Sequence, residues 1–324
     1  CAVIFLLLLQ IAKFNPRSQC RAKHGKKPLK EQDKEPEEVH QKVSTTDPES
    51  GYFHKGEHKK VFAYTTNTCC DRNGFILDFE IAPGNVHDSV SFFPLYERIR
   101  KNEYAKYIVM DAGYKTAAIA KAIISDEKIP VMPYTRPMTK EGFFKKYEYV
   151  YDEYYDCYIC PENQILRYST TNREGYREYK SNASICENCP VRNRCTESKN
   201  FTKIVTRHVW EPYVEQVEDY RHMRGMKNIY QQRKETIERV FADAKEKHGM
   251  RYTQYRGLAK VKMELTLLFG CMNLKKMANW KWKNRQSSLL SGCKYINIWK
   301  KGLEVLASKP FCLQAEQDFI YPAY

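Results

Sequence analysis

The chain has 324 residues, enough for one large domain or two ordinary ones with a real hydrophobic core. An apolar share of 42% argues against global disorder, and 54 Lys and Arg against 39 Asp and Glu point to a polyanionic partner, most often nucleic acid. Five of the twelve cysteines lie between Cys157 and Cys195, a pattern that reads as metal binding before a disulfide scaffold.

Cys1 opens an apolar run, AVIFLLLLQIA, that is too short to cross a bilayer and lacks the flanks of a signal peptide. It reads as the start of a fragment or a shifted frame, with a buried strand or helix as the alternative. No other segment has the pattern of a membrane span. From Asn15 to about Gln41 the chain is charged, proline-containing and aperiodic, which predicts a linker or exposed insertion. HKKVFAYTTNT (58–68) then predicts a strand, DRNG (71–74) a turn and FILDFEIAP (75–83) the second arm of a hairpin. Asp71 and Asp78 fall in that turn and hairpin. The loop PGNVHDS (83–89) leads into a helix with Asp88 or Ser89 as N-cap, and Pro94 should start or kink that helix. His87 and Asp88 are read as capping and loop-shaping residues. KYIVMDAGY (106–114) predicts an apolar strand ending in Asp-Ala-Gly, TAAIAKAIISDE (116–127) a helix and IPVMPY (129–134) a further strand.

Residues 136–205 break this rhythm with Tyr, Lys and Cys, and short strands and turns are expected there. Their segment YTRPMTKEGFFKKYEYVY offers Arg136, Lys140, Lys145 and Lys146 as phosphate contacts, against the alternative of a solvated face with packed tyrosines. Cys157-x2-Cys160-x25-Cys186-x2-Cys189 suits tetrahedral Zn²⁺, with Cys195 as a substitute for one of the four. From Trp210 through Ala278 the pattern is helical. ETIERVFADAKEK sets Ile237, Val240, Phe241 and Ala244 on one core-facing stripe, with Lys234, Glu238 and Lys245 on an adjoining side.

Two carboxylates then stand out: Asp111 at a strand end, where Gly113 permits a sharp turn, and Glu238 on the amphipathic helix. Five segments occur in order: STTDPESGYFHKG, PGNVHDS, MDAGYKT, the CxxC-bearing insert and IERVFADAK. Together they resemble the DDE transposases of bacterial insertion sequences, whose helix carries Arg/Lys-x3-Glu-x6-Lys as Lys234, Glu238 and Lys245 do here. That resemblance implies a ribonuclease H-like α/β fold, a mixed sheet flanked by helices, interrupted by a Cys-rich β/turn insertion. It implies metal-dependent cleavage and transfer of DNA strands at element ends, with Asp111 and Glu238 binding two Mg²⁺ (or Mn²⁺) ions. Lys234, Arg239 and Lys245 would meet transposon-end phosphates.

The resemblance further implies DNA (transposon ends and target) as partner, a homodimer, no membrane, and a cytoplasmic, nucleoid-associated protein of bacteria. The family's first acidic residue stands in an Asp-Ser/Gly-Thr motif that this chain lacks, and Asp47 is only a substitute from another family position. A truncated or decayed copy is therefore expected, with a non-catalytic zinc-containing nucleic-acid-binding protein as the alternative. The expected divisions are 1–41 apolar start and linker, 42–135 first catalytic part, 136–205 insertion, 206–280 helical completion and 281–324 tail.

Overall fold

The structure is a computed structural model that describes residues 16–27, 42–55, 59–101, 105–290 and 318–323. The apolar start and most of the stretch read as a linker lie outside these residues. In chain order the elements are helix α1 (Pro16–Lys23), strands β1 (Gly51–Lys55), β2 (Lys59–Cys70) and β3 (Ile76–Pro83), helix α2 (Asp88–Ile99) and strand β4 (Ala105–Val109). Helix α3 (Ala117–Ser125) and β5 (Ile129–Val131) follow, then β6 (Val150–Asp152), β7 (Cys157–Ile159), β8 (Ile165–Thr171) and β9 (Tyr176–Lys180). Short helices α4 (Ala183–Glu187) and α5 (Arg192–Cys195) precede β10 (Ile204–His208). The rest comprises α6 (Glu211–His222), α7 (Met226–Gln231), α8 (Ile237–Lys247), α9 (Leu258–Leu290) and β11 (Asp318–Ala323).

The described residues divide into two compact units, one drawn from 1–40, 116–121 and 134–219, the other from 41–115, 122–133 and 220–324. The second is a mixed α/β unit. Its sheet runs β1-β2-β11-β4-β5, with β3 also paired to β2. The β2–β3 and β2–β11 pairs are antiparallel, whereas β4 is parallel to both β11 and β5. The strand between β2 and β4 thus comes from the far end of the chain. Against the sheet pack Ile237, Val240, Phe241 and Ala244 of α8 and Val261, Leu265 and Phe269 of α9. The 3.6-residue stripe therefore does what its period predicts.

Gly51 and Gly84 explain two of the ordered motifs in this unit. Gly84 N–H donates to Ala63 O at 2.8 Å. A methyl on Gly84 would meet that oxygen at 2.8 Å, and one on Gly51 would strike the backbone nitrogens of Gly84 and Asn85. Only a residue without Cβ lets these two backbones approach so closely. In the loop that follows, the cap of α2 differs from expectation. His87 is the N-cap, its ring nitrogen accepting from Ser89 N–H at 3.2 Å, while Asp88 and Ser89 fall inside the first turn. Pro94 lies within α2 rather than at its start.

The other unit is built on an antiparallel sheet, β10-β9-β8-β7-β6, each strand paired to its neighbour in sequence. Phe144, Tyr149, Tyr158, Leu166, Tyr179 and Val205 form its core. It uses tyrosines where most cores use aliphatics, and their hydroxyls need partners. Asp156 supplies one, accepting from Tyr151 at 2.7 Å and Tyr179 at 2.5 Å. Pro16–Lys23 corrects the linker reading, because it is helical. Its apolar periodicity is absent, and polar contacts replace it. Arg21 donates to Thr170 Oγ1 at 2.6 Å; just beyond the helix, His24 stacks on Tyr168 at 3.7 Å and meets Asp156 at 2.7 Å.

Candidate active site

Asp111 is held by the strand that ends just before it. Ala105, Ile108 and Val109 of β4 are buried, and Met110 N–H donates to Val131 O at 3.0 Å, carrying the pairing with β5 one residue further. The chain then leaves the sheet. Asp111 Oδ1 accepts from Ala112 N–H at 2.7 Å and so caps a 3-10 turn, Ala112–Tyr114, anchored by the fully buried Tyr114. The carboxylate keeps 29% of its side-chain surface exposed, enough to meet a ligand.

Glu238 stands in the first turn of α8. Unpaired backbone N–H groups there favour a carboxylate by roughly 0.3–1 kcal/mol. With Ile237, Val240, Phe241 and Ala244 all buried, Glu238 is left exposed. The shared helical face expected for Lys234, Glu238 and Lys245 does not form. Lys234 belongs to a separate 3-10 turn, Gln232–Lys234, upstream of α8. Thr236 interrupts the helix with φ −107° and ψ −95°, and its hydroxyl donates back to Gln232 O at 2.8 Å.

That interruption turns Arg233 inward instead of Lys234. Its guanidinium is buried, donates to Tyr230 Oη at 3.0 Å and lies 3.5 Å from Asp111 Oδ1. The shielded Nε of Arg233 has no hydrogen-bond partner among the described residues. Tyr230 reports on both acids. Burial pushes its hydroxyl up, Arg233 pulls it down, and the charges of Asp111 and Glu238 push it up again. The two carboxylates, far apart in sequence, therefore act on one tyrosine. Sequence spacing missed Arg233 because the Arg/Lys-x3-Glu rule selects Lys234; only the break at Thr236 shows which of the adjacent cations is buried.

Asp47 does not join them by any contact. Tyr64 Oη donates to both its oxygens, at 3.0 and 2.9 Å, and Gly257 N–H donates to Oδ2 at 3.1 Å, beside the start of α9. Asp71 accepts from Asn73 and Phe75 N–H groups in its turn, and Asp78 pairs with Arg98 at 2.6 Å. Among the described residues, no three His, Cys, Asp or Glu side chains are gathered to hold a metal ion. Mg²⁺ usually keeps several waters and takes one or two protein carboxylates plus substrate phosphates, so it does not need three protein donors.

The basic residues divide by their partners. Arg239 borders a hollow with Lys275, Lys276 and Trp280, and Lys245 lies over the Phe241 ring at 5.6 Å. Both are exposed. In the other unit Arg136 is exposed, Lys145 is partly buried, and Lys146 pairs with Glu211 at 2.6 Å. Lys140 pairs with Glu197.

The cysteines of the insert do not form the foursome that spacing suggested. Cys157 lies in β7, buried, paired in register with Asp152 and Arg167. Cys160 follows the strand and packs on the tyrosine core, as do Tyr158 and Cys195. Cys186 and Cys189 flank the end of α4, and Cys195 ends α5. All five are free thiols.

Comparison with known proteins adds one family. Residues 159–278 match the family model described as a transposase DDE domain. The matched span holds Glu238 and most of the insert, and begins after Asp111. No curated protein matches the chain, and neither does any solved structure.

Proposed function

We propose that the chain is a DDE transposase of ribonuclease H-like fold from a bacterial insertion sequence, cutting and joining DNA strands at element ends. The observation that carries the reading is Asp111 at its strand end, 3.5 Å from the buried Arg233 that Tyr230 holds, with Glu238 just downstream in the segment that matches a transposase DDE domain. When bound, Mg²⁺ or Mn²⁺ would polarise the phosphoryl oxygens and activate a water or 3′-hydroxyl for in-line displacement of the 3′-oxygen. The protein's own part is placement. Ala112 N–H fixes Asp111 through Oδ1, and Oδ2 would be the oxygen offered to a ligand. Arg233 holds Asp111 from the buried side, and Tyr230 holds Arg233. Glu238 is the second metal-binding carboxylate. Arg239 and Lys245 on α8, with Lys234 just before it, contact backbone phosphates. In the other unit Arg136, Lys145 and Lys146 are separate phosphate contacts, the last after releasing Glu211. The same reading gives a cytoplasmic protein that acts on DNA as a dimer and crosses no membrane. Among the described residues no helix is long and apolar enough to span one.

A labelled duplex carrying the element's terminal repeats tests the proposal. The protein should cut or join it in Mg²⁺, and Asp111→Asn or Glu238→Gln should lower the rate at least 100-fold while leaving DNA affinity within threefold. Uncut DNA in Mg²⁺ and Mn²⁺ would reject the catalytic reading. A second reading, a non-catalytic nucleic-acid-binding protein derived from a transposase, is favoured by one observation. No third carboxylate gathers beside Asp111 and Glu238 among the described residues. It predicts salt-dependent DNA binding without cleavage.

A further inference from the structure

The β2–β3 turn and α9 are bolted together, and a hollow opens beside the joint. Asn273 Oδ1 accepts from Ile76 N–H at 2.9 Å, and its Nδ2 donates to Ile76 O at 2.8 Å. Lys276 Nζ donates to Asn73 O at 2.5 Å. A side chain on Gly74, whose φ is 75°, would strike that ammonium, so the turn admits Lys276 because residue 74 has no Cβ. With Arg239 and Val240 of α8 completing the lining, the hollow measures about 450 Å³, a usual size for a small-molecule site.

Two chemistries meet in it. Asn273, Lys276 and Trp280 recur at i, i+3 and i+7, which sets them along one side of α9. Ile76, Val240 and Met272 give the hollow an apolar part, and Trp280 at its border is 45% exposed. Water is a poor partner for such a surface, whereas a flat heterocycle covers it. The charged part has a surplus of cations. Asp243 is taken up by Lys247 at 2.6 Å, and that hydrogen bond, with the charges of Arg239 and Lys275, holds its carboxyl below the usual value. This leaves Arg239, Lys275 and Lys276 against Glu235 in the lining. Burial lowers the Lys276 ammonium, and Arg239 pushes it the same way, against Cys70, Asp71 and Asp243. An anion in the hollow would favour the charge on all three cations.

We infer that this hollow binds a nucleoside 5′-phosphate, its base stacked on Trp280 and its phosphate held by Arg239 and Lys275. The guanidinium can grip the phosphate with two donors, and the lysine adds a point charge. A duplex presents its phosphates with the base faces stacked away, so it satisfies the cations and leaves the apolar part bare. An unpaired nucleotide satisfies both. The same chemistry has two sources, a free mononucleotide or the 5′-phosphorylated end of a single DNA strand. Neither Asp111 nor Glu238 lines the hollow, so binding there requires no metal and no cleavage.

Calorimetric titration of the full chain in EDTA tests this separately from the DNA-cutting reading. Deoxyadenosine 5′-phosphate should bind at least tenfold more tightly than deoxyadenosine or inorganic phosphate, since each of those fills only part of the hollow. Trp280→Ala and Lys275→Gln, both at exposed positions, should each weaken it at least tenfold, while Trp280→Phe keeps a stacking ring and stays within threefold. A short oligodeoxyadenylate with a 5′-phosphate, compared with its unphosphorylated twin, separates the sources. At least tenfold tighter binding of the phosphorylated strand, lost in Trp280→Ala, assigns the hollow to strand ends. Twins that bind alike, beside a mononucleotide that still depends on Trp280, assign it to the free nucleotide. Inorganic phosphate bound as tightly as the nucleotide, no binding of any of these ligands, or unchanged affinity in Trp280→Ala overturns the inference.

Discussion

Arg233 is the residue on which the candidate site most depends. A buried guanidinium must satisfy its charge internally, and here Tyr230 and Asp111 supply the contacts. Arg233→Ala should destabilise the protein by about 2 kcal/mol in urea unfolding, since it strands the Tyr230 hydroxyl and opens a void. Arg233→Lys should fold and bind DNA but cleave more slowly, because a point charge cannot hold the tyrosine and the carboxylate together. A cleavage rate equal to wild type would remove Arg233 from the site. Residue-level contacts of this kind were poorly legible beforehand. The strand-end position of Asp111 and the helix position of Glu238 could be read directly. Choosing Arg233 over Lys234 required the break at Thr236, and choosing His87 as cap required a ring nitrogen in place of the usual oxygen. Neither has a period that a sequence displays.

Asp156 carries a prediction of pH dependence. Burial works against its charge, yet hydrogen bonds from Tyr179 and Tyr151 and the nearby Arg177 and His24 hold its carboxyl below the usual value. A depressed folded-state pKa contributes stability that is present above the unfolded value of about 3.9 and lost as pH falls through the lower, folded value. Unfolding monitored by tyrosine fluorescence should therefore show stability dropping below about pH 4, and Asp156→Asn should flatten that limb. An unchanged acid limb in the variant would mean that other carboxylates control it.

Elements were legible in proportion to their periodicity. Helix α8 declared itself through Ile237, Val240, Phe241 and Ala244, and the β2–β3 hairpin through DRNG. Helix α1 was hidden, because Arg21 and His24 dock it by hydrogen bonding and stacking rather than by an apolar stripe. The core stripe predicts its own cost of disruption. Phe241→Ala should lose about 3–5 kcal/mol. At the paired loops, Gly51→Ala should destabilise by about 1–3 kcal/mol, since a methyl has only backbone to push against. Thermal or urea unfolding measures both. A neutral Gly51→Ala would show that the two backbones have room to separate.

At the scale of the whole molecule, the chain presents two units with different chemistries, a mixed sheet carrying carboxylates and an antiparallel sheet carrying thiols. The α/β class was readable from alternating strand and helix patterns, and the β-rich insert from its Tyr, Lys and Cys content. The strand between β2 and β4 was not readable, since β11 lies more than 200 residues from either partner and pairing at that range leaves no local signature. The central claim is that Asp111 and Glu238 share a divalent metal. Mn²⁺ titration followed by electron paramagnetic resonance tests it most directly, on wild type, Asp111→Asn, Glu238→Gln and the double variant. One weakly held Mn²⁺ is expected, at least tenfold weaker in either single variant and no weaker still in the double. Mn²⁺ bound equally by all four proteins would contradict it.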